Sequence, residues 1–378
     1  MEHCDILIVG AGPAGSSLAW ALSDNEYDVI VMDKQTFPRN KVCAGWVTPA
    51  VVENLRIDIN DYRKEHVLQP VLGFLIGQIG SHETETYSEE NPISYGIRRC
   101  EFDHYLLERS GARLKLGESF REMARADNLW IVNDYIRSPI VVGAGGHYCP
   151  VARCLGNKVK HSEAVIVAQE TEFRMTPEQS EKCKISPDVP ELFFCEDFKG
   201  YGWIFRKGDI LNIGLGREDK DKLSEHVKAF CEFLRQWGKI PQDISYKFYG
   251  HAYLSYQHSL RQVLADGILL IGDAAGLAYA QSGEGIRPAV ESGILAAQVI
   301  KNAKGNYSSK NLDSYRQLIT QRFGRRKTTF DIAKILPDNF KQVLARKLLT
   351  NHWFARNVII NNWFLHAYQR PLLINKPA

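Results

Sequence analysis

The first part of the chain carries the pattern that most restricts its fold. The apolar run DILIVG (5–10) is rich in β-branched residues and predicts a buried strand. A glycine-rich turn follows and leads into SSLAWALSDN (16–25), whose apolar spacing is helical. A second apolar run, DVIVMD (28–33), predicts the next parallel strand. A strand, a glycine turn and a helix in this order are typical of a dinucleotide-binding α/β domain.

The glycines of the turn have separate expected roles. Gly10 allows the tight turn, Gly12 lets the backbone approach a pyrophosphate, and Gly15 lets the helix pack closely on the strand. Pro13 and Ala14 begin the helix, whose free N–H groups and positive dipole end suit phosphate groups. These residues form the first part of a predicted dinucleotide site.

Asp33 ends the second strand, 18 residues beyond Gly15. An acid near this spacing accepts hydrogen bonds from an adenosine ribose. We therefore place Asp33 and its neighbour Lys34 in the predicted site. The glycine turn does not by itself distinguish NAD from FAD.

Further glycine-rich stretches follow two other predicted strands. SPIVVGAGGHYCPVARCL (138–155) predicts a buried strand and a glycine turn, in which we assign Gly143 to the site. GILLIGDAAG (267–276) predicts a strand that leads to Asp273, and SGEGI (282–286) precedes a long helix. The spacing predicts one site assembled from distant segments.

The order of these motifs resembles the flavoprotein family that includes para-hydroxybenzoate hydroxylase and the geranylgeranyl reductases. The resemblance covers most of residues 1–300, and GDAAG with the following SGEGI is its most distinctive part. It implies an α/β fold with a Rossmann-type FAD-binding domain, an interleaved antiparallel-sheet substrate domain and a helical C-terminal region. The expected boundaries are 1–60, 95–158 and 262–302 for the FAD-binding domain, 61–94 and 159–261 for the substrate domain, and 303–378 for the helical cap.

The resemblance assigns FAD contacts to the later glycine stretches. In the family, the GDAAG aspartate, here Asp273, hydrogen-bonds the ribityl side of FAD, and the backbone that matches Gly285 and Ile286 meets the pyrimidine end of the flavin. A helix N-terminus at that end stabilises negative charge on a reduced flavin. Gly272 and Gly283 belong to the same predicted site. Without the family, Asp273 would be interpreted as a helix cap.

GIRRCEFDHYLLERS (96–110) places two arginines before a predicted helix. In the family, the arginine that precedes xxFD approaches the FAD phosphates; it corresponds to Arg99, with Arg98 as the competing choice. The chain departs from the family at Gly145, where the usual GADG motif has an aspartate. In the hydroxylases this aspartate helps to organise FAD and the approach of NAD(P)H, so direct use of NAD(P)H is an open question.

The loop KVCAGW (41–46) distinguishes the two branches of the family. The reductases have a basic-x-Cys-Gly/Ala-Gly pattern here, whereas the hydroxylases usually have an arginine in place of the cysteine. This difference favours reduction of an apolar substrate. We expect the loop to run along the cofactor toward the ring, with contacts from Arg39, Lys41, Cys43, Ala44 and Gly45. Trp46 would lie at the edge of the substrate space.

KGYGWIFRKGDILNIGLGRED (199–219) predicts a β-hairpin with its turn at Lys-Gly-Asp. Because side chains alternate along a strand, Tyr201, Trp203 and Phe205 project to one face. Such a face is often ordinary core. The geranylgeranyl reductases, however, have a Tyr-x-Trp-x-Phe stretch at this place that lines a pocket for a polyprenyl chain. An aromatic wall buries an apolar chain without polar partners.

The leading hypothesis is an FAD-dependent reductase of carbon–carbon double bonds in an isoprenoid or lipid-like substrate. Hydride would pass from flavin N5 to one alkene carbon and a proton to the other, with Cys43 and Tyr201 as catalytic candidates by location. One alternative is an FAD-dependent monooxygenase of an aromatic or polyketide-like substrate. The other is a flavin-binding protein without catalysis.

Composition excludes other classes of partner. The formal net charge of +3 is too small for a nucleic-acid binder. The eight cysteines have neither CxxC pairs nor the spacing of a zinc or iron–sulfur site, so we expect reduced thiols, no metal and a cytoplasmic protein. Electrons would come from an external donor: a ferredoxin, a flavodoxin-like protein or NADPH.

The C-terminal third predicts either a helical cap or a membrane-surface contact. We expect no export signal, and no apolar run reaches the roughly 18 residues of a spanning helix. Residues 322–356 contain nine basic and two acidic residues, and aromatic residues accompany them at Trp353, Phe354, Trp363 and Phe364. We expect a cap over the substrate pocket, with peripheral membrane contact as the alternative.

Overall fold

The structure is a computed structural model that describes residues 1–24, 27–157, 165–218, 222–244, 247–254, 256, 261–279, 281–324 and 347–372. Over these ranges the strands form a six-stranded, almost wholly parallel sheet, a seven-stranded mixed sheet and two smaller sheets. Together with the helices between them, this arrangement confirms the predicted α/β class with a Rossmann-type sheet.

The six-stranded sheet, called the parallel sheet below, contains both strands predicted at the start of the chain. Four of its strands, Ile6–Val9, Val29–Asp33, Val141–Gly143 and Ile268–Leu270, are buried through most of their length, and for this reason their sequences are mainly apolar. The three predicted glycine-rich turns follow adjacent parallel strands. The strand order is Leu264–Ala265, Ile268–Leu270, Val141–Gly143, Ile6–Val9, Val29–Asp33 and Arg113–Leu116, and the first two strands pair antiparallel.

Two helices beside this sheet join the first and last glycine-rich segments. Pro13–Leu22 begins at a proline, whose missing N–H is not needed there, and it packs against Ile286–Ala303. A Cβ at Gly293 would lie 2.6 Å from the carbonyl oxygen of Ala14, so a glycine is required for the close helix contact. Other helices of the described chain are Pro49–Asn54, Ile59–Glu65, Arg99–Glu108, Pro150–Cys154, Pro177–Lys182, Leu223–Gln236 and the 3₁₀ turn Gly272–Ala275.

The seven-stranded sheet, called the mixed sheet below, contains the predicted hairpin as Gly200–Lys207 and Ile210–Arg217. One face packs on helix Leu223–Gln236, where Phe230 lies against Gly202. The other face presents the alternate residues, including Trp203. The strand order is Tyr249–Leu254, Val165–Arg174, Ile210–Arg217, Gly200–Lys207, Glu191–Phe194, Gly73–Gln78 and Thr84–Ser88, and the pair of Glu191–Phe194 with Gly73–Gln78 is parallel.

Each of the two smaller sheets pairs strands that are distant in the sequence. A three-stranded sheet brings the strand that begins at Trp46 beside later segments, in the order Trp46–Val47, Ser94–Ile97 and Leu68–Val71. The other small sheet contains the chain's first strand, in the order Glu2–His3, Ile136–Ser138, Leu129–Val132 and Met123–Ala126. The loop that carries Cys43 therefore enters directly into a sheet strand.

The described C-terminal residues pack on the rest of the protein. Helix Ser309–Phe323 is followed by His352–Phe354 and by the π-helix Ala355–Phe364. Residues 325–346, which hold most of the predicted basic stretch, lie outside the described residues. Arg322, the first residue of this stretch, forms an ion pair with the buried Glu291. Its charge is therefore paired inside the protein.

All eight cysteines are free, which agrees with the expectation of reduced thiols. Among the described helices, none combines the length and the apolar character that crossing a bilayer requires. The domain boundaries given above stay a prediction.

Candidate active site

A cavity of about 910 Å³ lies where the carboxyl ends of the parallel strands meet the mixed sheet. Ligands of open α/β sheets bind at this edge, because the loops that follow the strands converge there. Most of the predicted site residues line the cavity: Gly10, Gly12, Pro13, Ala14, Asp33, Lys34, Arg39, Lys41, Cys43, Ala44, Trp46, Arg99, Tyr201, Trp203, Phe205, Asp273, Gly283, Gly285 and Ile286.

Four predicted cofactor residues lie behind the cavity wall rather than in it: Gly15, Gly45, Gly143 and Gly272. Each is packed too closely for a side chain. A Cβ at Gly15 would lie 1.9 Å from the carbonyl oxygen of Gly10, and one at Gly143 would lie 2.6 Å from Leu270. These glycines shape the site through backbone packing.

The first glycine turn has the local geometry that the motif predicts. Gly10 has a φ of +120°, and a Cβ there would lie 2.4 Å from the backbone of Ala144. At Gly12, by contrast, a Cβ would meet only Arg39 Nη2, at 3.5 Å. The Gly12 backbone is therefore open to the cavity at the N-terminus of helix Pro13–Leu22, as a phosphate site requires.

The carboxylate of Asp33 supports this turn. Its Oδ2 accepts the backbone N–H of Ala11 at 2.8 Å, and its Oδ1 accepts that of Gln35 at 2.9 Å. Asp33 also lines the cavity. The same carboxylate thus holds the glycine turn and presents its remaining lone pairs to the cavity.

Two arginines share one buried carboxylate at the cavity wall. Arg99 donates from Nε and Nη2 to Asp103, both at 2.8 Å, and Arg39 Nη2 lies 3.3 Å from the same group. The cluster retains one net positive charge, which suits an anionic ligand. Arg98 points elsewhere and pairs with Glu101 and Glu172. Of the two competing arginines, Arg99 is the one that lines the cavity.

Lys41 meets a residue that the sequence did not single out. Its Nζ lies 3.0 Å from Nδ1 of His251, on strand Tyr249–Leu254 of the mixed sheet. Burial, together with the positive charge of Arg99, lowers the pKa of Lys41 to about 8. Burial and the charge of Lys41 lower the pKa of His251 to about 3, so this imidazole is neutral. No local pattern marks His251, which lies 210 residues from Lys41.

Asp273 and the SGEGI segment form another side of the cavity. Burial raises the pKa of Asp273, while the nearby Lys41 and Arg99 favour its charged form. Its Oδ1 would lie 3.1 Å from a Cβ at Gly285, so a glycine leaves space for the carboxylate beside the start of helix Ile286–Ala303. The interpretation of Asp273 as a simple helix cap fails, because no helix N–H is bonded to its side chain in the described structure.

Cys43 lines the cavity near Arg99. The next residues turn the chain sharply into strand Trp46–Val47. Gly45 has a φ of +67°, and a Cβ there would lie 2.2 Å from the carbonyl oxygen of Ile97. Glycine is therefore needed to place Cys43 in the cavity and Trp46 beyond it.

A buried polar pair beneath the cavity holds the Cys43 peptide. Asn212 Nδ2 donates to the carbonyl oxygen of Cys43 at 3.1 Å and to Glu170 at 2.9 Å. Burial raises the pKa of Glu170 to about 7. The signal for Asn212 was a polar side chain within the apolar strand ILNIG, whereas Glu170 lies in the polar run QETE and had no such signal.

The aromatic face of the hairpin forms one wall of the cavity. Tyr201, Trp203 and Phe205 lie on the same side of their strand, and the first two rings are 6.0 Å apart. Trp203 Nε1 donates to Asn212 Oδ1 at 2.8 Å. Its indole lies over Gly214, where a Cβ would be 2.2 Å from the ring. The indole of Trp203 is therefore held in one orientation.

The C-terminal segment completes this wall. Phe364 stacks on Trp46 with ring centroids 5.6 Å apart and meets Tyr201 edge to face at 5.3 Å. Trp363 also lines the cavity, whereas Trp353 is exposed. The Tyr201 hydroxyl donates to the carbonyl oxygen of Ser282, which ties the wall to the SGEGI segment.

The chain is similar to known flavoproteins through most of its length. The profile of a family described as NAD(P)-binding Rossmann-like domain matches residues 8–59. Menaquinone reductase of Mycobacterium tuberculosis is 30% identical over 351 residues, which cover 86% of this chain and 81% of that protein. Digeranylgeranylglycerophospholipid reductase 2 of Methanosphaera stadtmanae is 28% identical over 362 residues, covering 88% and 87%.

Solved structures share the fold. A geranylgeranyl bacteriochlorophyll reductase-like protein of Thermoplasma acidophilum superposes with a TM-score of 0.75 at 22% identity, covering 93% of this chain and 88% of that one. The halogenase PltM, solved in complex with FAD, has a TM-score of 0.71 at 14% identity and covers 93% and 78%. The length and identity of the menaquinone reductase match establish the relationship: the chain belongs to the geranylgeranyl reductase family of FAD-dependent oxidoreductases.

Proposed function

We propose that this enzyme uses FAD to reduce carbon–carbon double bonds of an isoprenoid or similar lipid. The observation that carries the proposal is the aromatic wall of Trp46, Tyr201, Trp203 and Phe205, which faces the same cavity as the glycine turn. An aromatic surface offers an alkene chain close contact without requiring polar groups from it. Two similar proteins bear names that support this proposal: a digeranylgeranylglycerophospholipid reductase and a menaquinone reductase.

The residues of the cavity fit FAD. The open backbone at Gly12 and the cations of Arg39 and Arg99 suit the pyrophosphate, and the carboxylate of Asp33 suits the adenosine ribose. Asp273 would accept hydrogen bonds from the ribityl hydroxyls. The backbone of Gly283, Gly285 and Ile286, with the remaining predicted contacts Pro13, Ala14, Lys34, Lys41 and Ala44, would surround the rest of the cofactor.

Positioning and exclusion of water are the main tasks of the protein in this reaction. Bound FAD supplies a hydride donor. Trp203, held by Asn212, and Phe364, stacked on Trp46, would keep the alkene segment in one orientation and exclude water from it. An isolated alkene has no oxyanion to stabilise, so few polar groups are needed beside the reacting carbons.

Two cavity groups are candidates to deliver the proton. Cys43 lines the cavity near Arg99, and Asn212 holds its backbone carbonyl. The Tyr201 hydroxyl already donates to the Ser282 carbonyl, so delivery from its oxygen requires that bond to break first. We therefore favour Cys43 as the proton donor.

The monooxygenase alternative shares the fold: PqsL of Pseudomonas aeruginosa, described as a probable FAD-dependent monooxygenase, superposes with a TM-score of 0.65 at 17% identity. Product mass separates the two reactions. The enzyme reduced anaerobically with dithionite should convert a geranylgeranyl lipid to a product two hydrogens heavier, with oxidised flavin formed in step. A product that appears only in air and is one oxygen heavier would overturn the proposal.

A matched pair of variants tests the aromatic wall. Phe205 and Phe193 are both buried in the mixed sheet, but Phe205 faces the cavity and Phe193 packs against Phe230 on the opposite face. Phe205→Leu should raise KM for the lipid, whereas Phe193→Leu should leave KM unchanged at equal FAD content. Equal KM values in the two variants would remove the wall from the substrate site.

The proposed reaction also needs a source of electrons and access to a lipid substrate. We propose an external donor, a ferredoxin, a flavodoxin-like protein or NADPH, since the chain has no iron–sulfur cysteine pattern. A lipid substrate also favours peripheral contact with a membrane by an otherwise cytoplasmic enzyme. Arg356, one of the basic residues considered for this contact, pairs with Glu89.

A further inference from the structure

Arg287 is a buried cation that the proposed reaction does not use. It directly follows Ile286, the last residue of the SGEGI segment, in the first turn of helix Ile286–Ala303. Only 1% of its surface is exposed. A buried charge is costly unless other groups pair with it and accept its hydrogen bonds. The partners of Arg287 therefore show what this position requires.

The guanidinium of Arg287 directs most of its hydrogen bonds to one short stretch of backbone. Its Nη1 donates to the carbonyl oxygens of Leu365 and His366 at 3.2 and 3.3 Å, and its Nη2 donates to that of Gln369 at 2.6 Å. Its Nε donates to the carboxylate of Glu291 at 2.9 Å. A planar guanidinium can bond several acceptors in a fixed arrangement. Arg287 therefore fixes the backbone just after the π-helix Ala355–Phe364.

This stretch of backbone carries part of the aromatic wall. Phe364 immediately precedes the first of the three carbonyls, stacks on Trp46 and meets Tyr201 edge to face. Phe364 and its neighbour Trp363 both line the first cavity. The position of these two rings therefore depends on the backbone that Arg287 holds. Residues 363–369 are called the anchored segment below.

Packing restrains the anchored segment incompletely, because open space borders it on two sides. A second cavity of about 440 Å³ has Trp363, His366 and Gln369 among its lining residues. Trp363 lines both cavities. A segment between two cavities has fewer close contacts than one in a packed core. Its hydrogen bonds therefore contribute strongly to where it lies.

Arg322 provides a comparison, since it binds the same carboxylate but a different part of the backbone. Its Nε donates to Glu291 at 2.8 Å, and its Nη2 donates to the carbonyl oxygen of Arg370, just beyond the anchored segment, at 2.8 Å. Glu291 therefore keeps a cationic partner when Arg287 is replaced. The two arginines share one buried anion and hold different residues.

We propose that Arg287 is a positioning residue for the lipid site: it holds the anchored segment so that Phe364 completes the aromatic wall. This inference rests on the proposed reduction of an isoprenoid chain. Arg287 is adjacent to Ile286, whose backbone is predicted to meet the flavin, so one residue fixes the wall relative to the cofactor. Such placement is important, since a misplacement of about 1 Å can lower a rate about a hundredfold.

Titration of the oxidised holoenzyme with geranylgeraniol, followed by flavin absorbance, measures lipid binding without turnover. Arg287→Lys keeps a charge beside Glu291, but an ammonium group cannot span the three carbonyl oxygens. We expect its dissociation constant for geranylgeraniol to rise about threefold to tenfold, the range that one displaced aromatic contact accounts for. Arg322→Lys should leave this constant unchanged. Equal increases in the two variants, or no increase in Arg287→Lys, would overturn the inference.

A double-mutant cycle tests whether Arg287 acts through Phe364. Phe364→Leu removes the ring, so Arg287→Lys should weaken geranylgeraniol binding much less in this background than in the wild type. Arg287→Gln retains one amide donor and leaves Glu291 paired with Arg322, so it provides the same cycle with a second side chain. Flavin content and melting temperature verify that each variant folds. A full effect of the Arg287 variants in the Phe364→Leu background would also overturn the inference.

Failure of the proposed function gives a different result. Product mass after incubation of the reduced enzyme with geranylgeraniol measures double-bond reduction alone. Weaker binding confined to the Arg287 variants, without any reduction by the wild type, would refute the proposed reaction and leave the positioning role standing. Reduction by the wild type, with equal binding by Arg287→Lys and Arg322→Lys, would refute only the positioning role.

Discussion

The side-chain amide of Asn212 donates to the backbone carbonyl of Cys43 at 3.1 Å and joins a mixed-sheet strand to the loop after Asp33. The oxygen of the same amide accepts the indole N–H of Trp203 at 2.8 Å. Asn212 is fully buried. One amide therefore positions both the candidate proton donor and a ring of the cavity wall.

Replacing Asn212 should disturb the positions of both Cys43 and Trp203. Asn212→Leu leaves the Cys43 carbonyl and the Trp203 N–H without a partner, and each unsatisfied buried group costs about 1–3 kcal/mol of stability. We expect a lower unfolding free energy in urea and a fall in kcat that exceeds any loss of FAD affinity. Trp203→Phe removes only the indole donor, so the double variant should lose less than the sum of the single losses. Strict additivity would contradict the coupling.

Cys43→Ala should retain FAD and lose turnover. Cys43 lines the cavity near Arg99, but the hydrogen bond from Asn212 to its backbone carbonyl does not need the sulfur. We expect near-normal flavin content and a large decrease in kcat at similar KM. Cys43→Ser, which keeps a proton on the side chain, should recover part of the rate. Unchanged turnover in the alanine variant would exclude a chemical role for the thiol.

FAD affinity should weaken in alkaline solution through Lys41. Its pKa of about 8 means that the ammonium is charged below this pH, where it attracts the anionic cofactor, and neutral above it. The neighbouring groups are Arg39, Cys43, Arg99, Asp273 and the neutral His251. The dissociation constant from flavin fluorescence should be flat below pH 8 and rise above it.

Two conservative variants test whether Lys41 or another lysine causes the alkaline rise in the FAD dissociation constant. Lys41→Arg keeps its charge and should remove the alkaline rise. Lys34→Arg, at an exposed position of the same cavity, should retain it. A rise that persists in Lys41→Arg would assign the titration to another group.

Glu170 should make stability fall as pH rises through the weakly acidic range. Burial raises its pKa from 4.5 to about 7. Between these values the unfolded chain releases the proton while the folded protein keeps it, so the stabilisation present below pH 4.5 is lost as pH rises to about 7. The loss amounts to about 3 kcal/mol. Urea unfolding at several pH values measures it, and Glu170→Gln should remove it.

Glu172, on the same strand, should change the stability with pH in the opposite direction. Burial opposes its ionisation, but Lys207 lowers its pKa below 4.5. Its contribution is therefore present above the unfolded value and is lost as pH falls. Glu172→Gln should reduce stability at neutral pH and leave the weakly acidic slope in place. The same slope change in both variants would contradict the assignment to Glu170.

Gly214→Ala should displace the indole of Trp203. A Cβ at Gly214 would lie 2.2 Å from the ring, whereas one at Gly216, on the same strand, would meet Ala168 at an ordinary 3.6 Å. We expect Gly214→Ala to lose about 1–3 kcal/mol of unfolding free energy through overpacking. Gly216→Ala should lose much less. Similar melting temperatures for the two variants would contradict the fixed orientation of the indole.

The glycine motifs could be predicted from the sequence because their requirements are local. A positive φ at Gly10 and an open backbone at Gly12 depend on a few neighbouring residues, and both appear as the motif predicts. The same holds for the alternation that places Tyr201, Trp203 and Phe205 on one face. The cavity contacts expected of Gly15, Gly45, Gly143 and Gly272 remain predictions, and the structure places these glycines behind the wall.

The partners of the site residues could not be predicted in this way. His251 meets Lys41 across 210 residues, and Asn212 meets Cys43 across 169. Nothing in the local pattern around either residue names its partner. Phe364 and Trp363 were recognised only as part of an aromatic C-terminal segment, yet they complete the cavity.

By itself, the sequence determined the backbone of the dinucleotide turn, the parallel strands around it and the aromatic face of the hairpin. Each of these follows from spacing along a short stretch of chain. Only the tertiary structure decided which distant side chains share the cavity, because strand order and helix packing set those contacts. The second cavity depends on them entirely, since it forms where the π-helix Ala355–Phe364 packs beside the segment that contains Gln281.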